Sequence, residues 1–128
     1  MTGLVAFLAL VACAELGQES LDESFTLRVG ETARVENAGI EIQFEQVVSD
    51  SRCPRDVTCI RAGEAVVRLS VEAGGTQEPL QLKVPPAGSG RARYRHLVIT
   101  IEALDPQTES GKRIDPSAYE ATVRVSRA

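Results

Sequence analysis

Apolar and polar residues alternate along most of the chain, and a period of two marks strands that bury a single face. Phe25, Leu27 and Val29 alternate with Thr26 and Arg28, and Ala33 and Val35 follow beyond Gly30. Ile40, Ile42 and Phe44 point one way while Glu41, Gln43 and Glu45 point the other. Val67, Leu69 and Val71 repeat the pattern, as do Leu80, Leu82 and Val84 before Pro85-Pro86. Leu97, Ile99, Ile101 and Ala103 form the next segment, ended by Asp105-Pro106. Tyr119, Ala121, Val123 and Val125 close the chain. No segment carries a helical period.

Turn chemistry separates these segments. Asn37-Ala38-Gly39 and Gly74-Gly75 supply the positive φ angles of tight hairpins. Pro86–Gly90 and Gln107–Pro116 read as longer surface loops. About seven strands with one apolar face each must bury those faces against one another. The predicted fold is therefore all-β, a single small β-sandwich of immunoglobulin-like or related Greek-key type, with a barrel as the other closure. Asp115–Ala121 resembles the tyrosine corner of such sandwiches, in which a Tyr hydroxyl bonds backbone a few residues upstream. An ordinary strand-end Tyr packed on the core is the other reading of Tyr119.

Composition narrows the function classes. A chain of 128 residues has room for one core. Its net charge of −4 gives no reason to expect nucleic acid. Aromatic residues make up 4% of the chain and Trp is absent, so a stacking platform for sugars or bases has little to draw on. His96 is the one histidine, which argues against a copper or His-rich zinc centre. No cofactor and no metal are expected. The nearest approach to a calcium set, Asp105, Glu109 and Asp115, fits no EF-hand spacing.

At the N-terminus, the apolar run Leu4–Ala12 is shorter than the roughly 20 residues a bilayer span needs. It ends in Leu10-Val11-Ala12-Cys13, which resembles the lipobox of bacterial lipoproteins. That resemblance implies a signal peptide over residues 1–12, a lipidated Cys13, an acidic tether over 13–24 and a folded domain over 25–128. It also implies an extracytoplasmic, lipid-anchored place in the cell envelope or periplasm. Ala14, where many inner-membrane lipoproteins have Asp, favours the outer membrane.

The most distinctive stretch surrounds the other two cysteines, Cys53 and Cys59. In an oxidising compartment they would pair, stapling a small loop and stabilising by about 2 kcal/mol in the chain-entropy model. Free thiols and a metal or redox site are the alternatives. The absence of a C-x-x-C spacing speaks against redox work. The run Asp50-Ser51-Arg52-Cys53-Pro54, then Cys59 and Ala62-Gly63-Glu64-Ala65, resembles an uncharacterised family of small bacterial secreted proteins and lipoproteins. Members usually carry an aromatic residue where this chain has Arg61. The resemblance implies fold and compartment, and no activity.

Asp50, Arg52, Arg55, Arg61 and Glu64 form the candidate recognition loop. On one reading Arg52 pairs with Asp50 or Glu64 and simply holds the loop. On the other, Arg52, Arg55 and Arg61 are offered to an acidic partner. Arg91, Arg93 and Arg95 alternate as if on one face of a strand leading into Leu97, facing solvent or an anionic surface. The expectation is a non-enzymatic, lipid-anchored envelope protein, a binding or structural module with an envelope protein or polymer as partner. Two alternatives accompany it. One is an envelope hydrolase using the Asp50 and Glu64 carboxylates; the other is a protease inhibitor acting through loop 51–61.

Overall fold

A computed structural model describes residues 17–128, and Cys13 with the segment before it lies outside them. Nine strands make two sheets: β1 Gly17–Glu19, β2 Ser24–Arg28, β3 Thr32–Val35, β4 Ile40–Asp50, β5 Ala65–Ala73, β6 Thr76–Val84, β7 Gly90–Tyr94, β8 Leu97–Asp105 and β9 Glu120–Arg127. One sheet has the order β1-β3-β4-β5-β6 and the other β2-β9-β8-β7. The second has Greek-key order, because β7, β8 and β9 are consecutive neighbours and β9 comes back beside β2 from near the start of the chain. The small all-β sandwich expected from the alternation is the observed architecture.

Ile42, Phe44, Val67, Leu69 and Val71 from the first sheet face Ile99, Ile101, Val123 and Val125 from the second, all fully buried. These inner faces are what the alternation wrote into the sequence, and their mutual burial is the main force holding the sheets together. Gly74 and Gly75, with φ of +57° and +81°, form the two-residue hairpin between β5 and β6. The sheets meet closely at the β6–β7 corner, where a Cβ on Gly90 would stand 2.0 Å from the Lys83 carbonyl oxygen.

Three expectations need correction. Among the described residues there are nine strands rather than about seven. β1, which has no apolar residue, lies in the segment expected as a tether, and β7, whose alternating arginines read as running on into Leu97, is a separate strand set off by a turn. The acidic segment expected as a tether is part of the fold from Gly17: β1 pairs in parallel with β3, and the Leu21 N–H donates to Asn37 Oδ1 at 2.8 Å. Arg91, Arg93 and Arg95 do not share a strand. Tyr94 pairs with Leu97, so Arg95 and His96 form the hairpin turn, with Arg95 at φ +56°.

Two irregularities shape one end of the sandwich. The pairing of β4 with β5 shifts register between Phe44 and Gln46 and again between Val47 and Ser49. β8 shifts between Ile101 and Ala103, which turns Leu104 inward instead of Ala103. Such bulges re-aim the strand ends beyond them. Both lead toward the same cluster of side chains.

Candidate functional site

The β4–β5 ladder ends at Asp50 opposite Ala65, but the two chains stay together beyond it. The Ser51 N–H donates to the Glu64 carbonyl at 2.9 Å, and the Cys53 N–H donates to the Ala62 carbonyl at 2.7 Å. The Ser51 hydroxyl adds a bond to the same Glu64 carbonyl at 2.9 Å. Gly63 makes this close approach possible. It sits at φ +70°, and a Cβ there would lie 1.8 Å from the Ser51 carbonyl oxygen. The result is a narrow stem carrying an eight-residue tip, residues 54–61. Cys53 and Cys59 are disulfide-bonded across that tip, with Cα atoms 5.9 Å apart.

Arg52 anchors the stem from inside. Only 4% of the residue is exposed. Its Nε donates to Asp50 Oδ1 at 2.9 Å and its Nη2 to Asp50 Oδ2 at 2.8 Å, a two-point ion pair. Nη1 also donates to the Leu104 carbonyl at 2.8 Å, and Nη2 to the Pro106 carbonyl at 2.9 Å. The bulge in β8 is what turns the Leu104 end of that strand toward the guanidinium. From the far side the Tyr119 hydroxyl donates to Asp50 Oδ2 at 2.9 Å. One carboxylate thus joins the stem from β4 in one sheet to the start of β9 in the other.

The electrostatics follow from this arrangement. Burial pushes the Asp50 carboxyl up, but donation from Arg52 and Tyr119 and the Arg52 charge outweigh it, so its pKa lies below the usual 3.8. Tyr119 moves the other way. Burial first, then the bond to the Asp50 carboxylate, pushes its phenol from 10.0 up to about 12.

A second loop, between β8 and β9, backs the tip. The Arg55 N–H donates to the Thr108 carbonyl at 2.9 Å. The Thr108 hydroxyl donates to the carbonyls of Arg52 and Cys53 at 3.1 and 3.2 Å. The Asp56 carboxylate accepts from the Ser110 N–H at 2.9 Å and from its hydroxyl. These donations lower the Asp56 pKa, with Ser110 the leading cause. Arg55 pairs with Glu109, which Lys112 also reaches at 2.6 Å.

The candidate residues therefore divide. Asp50 and Arg52 are brought together as the pair that holds the stem, so Arg52 cannot be offered to an acidic partner. Arg55 is turned back toward Glu109. Glu64 does not join Arg52; its carboxylate reaches Lys83 at 3.8 Å across the solvent-facing side. Arg61 is exposed on the tip. The tyrosine-corner geometry is not what Tyr119 adopts, since its hydroxyl finds a carboxylate in the other sheet rather than nearby backbone. Asp105, Glu109 and Asp115 do not converge on a calcium site either. Asp115 accepts from the Ser117 N–H at 2.8 Å, and no metal-holding group of three such side chains occurs among the described residues.

Sequence reading missed Ile60 and Val57. Ile60 is 105% exposed and Val57 46% exposed, both on the stapled tip. The available signal was an aliphatic residue between Cys59 and Arg61, in a loop too short to fold over it. Thr108 and Ser110 were missed too, because nothing local ties residues 107–116 to the cysteines.

No family model, curated protein or solved structure matches the chain. Fold and site together define its class: a small all-β sandwich carrying a disulfide-stapled hairpin tip, braced by a buried Asp–Arg–Tyr cluster.

Proposed function

We propose that this protein is a non-enzymatic, lipid-anchored binding module of the cell envelope, and that the stapled tip is its recognition surface. The observation that carries the reading is Ile60. A fully exposed aliphatic side chain contributes nothing to its own fold, yet the segment beside it is fixed by a disulfide, a hydrogen-bonded stem and a backing loop. Fixing a loop before binding lowers the ordering cost of association, and a central apolar side chain is what a partner's pocket can bury. The Asp50–Arg52–Tyr119 cluster serves this surface indirectly, as its mounting.

The hydrolase alternative draws less support. Glycoside hydrolysis needs one carboxyl group kept protonated to act as acid. Asp50 is held ionised by Arg52 and Tyr119, and Glu64 faces Lys83 at the surface.

Crosslinking the protein in its native envelope, with captured partners identified by mass spectrometry, tests the reading. A Cys53→Ser/Cys59→Ser variant is run beside it, and the intact mass of the purified protein reports acylation at Cys13. The expected result is a defined partner, lost in the double variant, from a protein carrying acyl chains. Capture of abundant neighbours alone, equal in both, would remove the recognition role. An unacylated protein beginning upstream of Cys13 would remove the anchor.

A further inference from the structure

Beyond its exposed side chain, the tip has a second unusual property. Among the described residues, no backbone N–H or C=O of Thr58, Cys59, Ile60 or Arg61 is hydrogen-bonded to another group of the chain. Four consecutive peptide groups are thus left without a partner on exposed residues of the tip. They are nevertheless held at both ends: Cys59 by its bond to Cys53, and Ala62 by the Cys53 N–H at 2.7 Å. A free peptide edge with a projecting side chain is the chemistry that substrate clefts of endopeptidases bind. Such clefts hydrogen-bond the backbone and seat one side chain in a pocket.

We propose that Thr58–Arg61 occupies the substrate cleft of an endopeptidase and blocks it, with Ile60 in a primary pocket suited to aliphatic side chains. The inference rests on the recognition-loop reading and names the partner class for that same surface. The anchoring explains why the segment inhibits rather than being consumed. Cleavage would add one water across the Ile60–Arg61 bond, giving an Ile60 carboxylate and an Arg61 amine. Both new ends stay beside Cys53, the Ile60 end through the disulfide at Cys59 and the Arg61 end through the Cys53–Ala62 hydrogen bond and the β4–β5 ladder behind it. The two ends keep a high effective concentration toward one another, so the bond reseals with expulsion of that water. The backing loop limits the rearrangement that would otherwise separate them.

The test uses the full lipidated chain in detergent against three enzymes with fluorogenic substrates. These are an aliphatic-specific serine endopeptidase, a trypsin-type serine endopeptidase and a thermolysin-type metalloendopeptidase. The expected result is competitive inhibition of an aliphatic-specific enzyme at micromolar protein, with the loop intact by mass spectrometry. Ile60→Ala weakens it by about 10- to 100-fold, the worth of burying such a side chain. Ile60→Arg shifts inhibition toward the trypsin-type enzyme. Circular dichroism should be unchanged in both variants, since the side chain is fully exposed.

Rapid cleavage between Ile60 and Arg61, or inhibition indifferent to Ile60→Ala, would overturn the inference. Inhibition of the trypsin-type enzyme alone, abolished by Arg61→Ala, would overturn the assignment of Ile60. No inhibition of any enzyme would overturn the proposal as well. In that case envelope crosslinking separates the two levels. A captured partner that is lost with Ile60→Asp leaves the recognition loop standing without the peptidase, and no specific capture removes both.

Discussion

Replacing Arg52 by Met keeps most of the buried volume and removes the charge. What remains is a largely buried Asp50 carboxylate, together with the Leu104 and Pro106 carbonyls, each stripped of a donor. Removing one partner of a buried pair typically costs roughly 3–5 kcal/mol, because the other charge stays desolvated and uncompensated. The Tyr119 hydroxyl still donates to Asp50, so the lower half of that range, about 3 kcal/mol, is the expected loss. Domains of this size have about 5–15 kcal/mol of stability, so the variant should fold but melt early. At about 4 °C per kcal/mol the midpoint falls by about 12 °C. Urea denaturation of wild type, Arg52→Met, Asp50→Asn and the double variant forms a cycle that isolates the coupling. A loss below about 1 kcal/mol for Arg52→Met would match an exposed pair. It would refute the claim that this cluster holds the stem.

Other consequences are independent of that cycle. Because the folded pKa of Tyr119 lies above its ordinary 10.0, its contribution is fully present below pH 10 and fades as pH rises toward about 12. Denaturation midpoints across that window should fall more steeply in wild type than in Tyr119→Phe. Asp50 behaves oppositely: its lowered pKa supports the fold above pH 3.8, and that support is lost as acid drops below this value, a loss that Asp50→Asn should not show. Gly63→Ala forces a Cβ to 1.8 Å from the Ser51 carbonyl, so the stem must open. Amide exchange at Ser51 and Cys53 should accelerate before the core amides do, and unchanged protection would contradict the close approach. Reducing the Cys53–Cys59 bond should cost about 2 kcal/mol, since the closed loop is small. A much larger loss by calorimetry would mean that the staple supports the whole sandwich rather than its tip.

Strands whose inner face is continuous were legible from alternation alone, as in Ile40-Ile42-Phe44 or Val67-Leu69-Val71. Where the ladder slips, the pattern breaks. The bulges after Phe44 hide the second half of β4, and the one after Ile101 makes Leu104 rather than Ala103 an inward residue. β7 is misjudged for a different reason: the alternation of Arg91 and Arg93 was legible, but nothing marked the turn at Arg95-His96, so the strand read as running on into β8. At the site, the cysteine spacing pointed to the staple, and Asp50 was one of two partners foreseen for Arg52. Tyr119 was noted for itself, but its bond to Asp50 spans 69 residues and exists only once the sheets are stacked. The exposure of Ile60 is likewise a tertiary property, since an aliphatic residue in sequence ordinarily reads as core.

The central claim is that the stapled tip recognises a partner and does not serve the fold. Ile60→Asp tests it most directly, read out by urea denaturation and by envelope crosslinking on the same preparation. Because Ile60 is fully exposed, its stability should change by less than about 0.5 kcal/mol. Partner capture should disappear, because a carboxylate cannot enter an apolar pocket unpaired. Capture equal to wild type, from an equally stable protein, would contradict the claim.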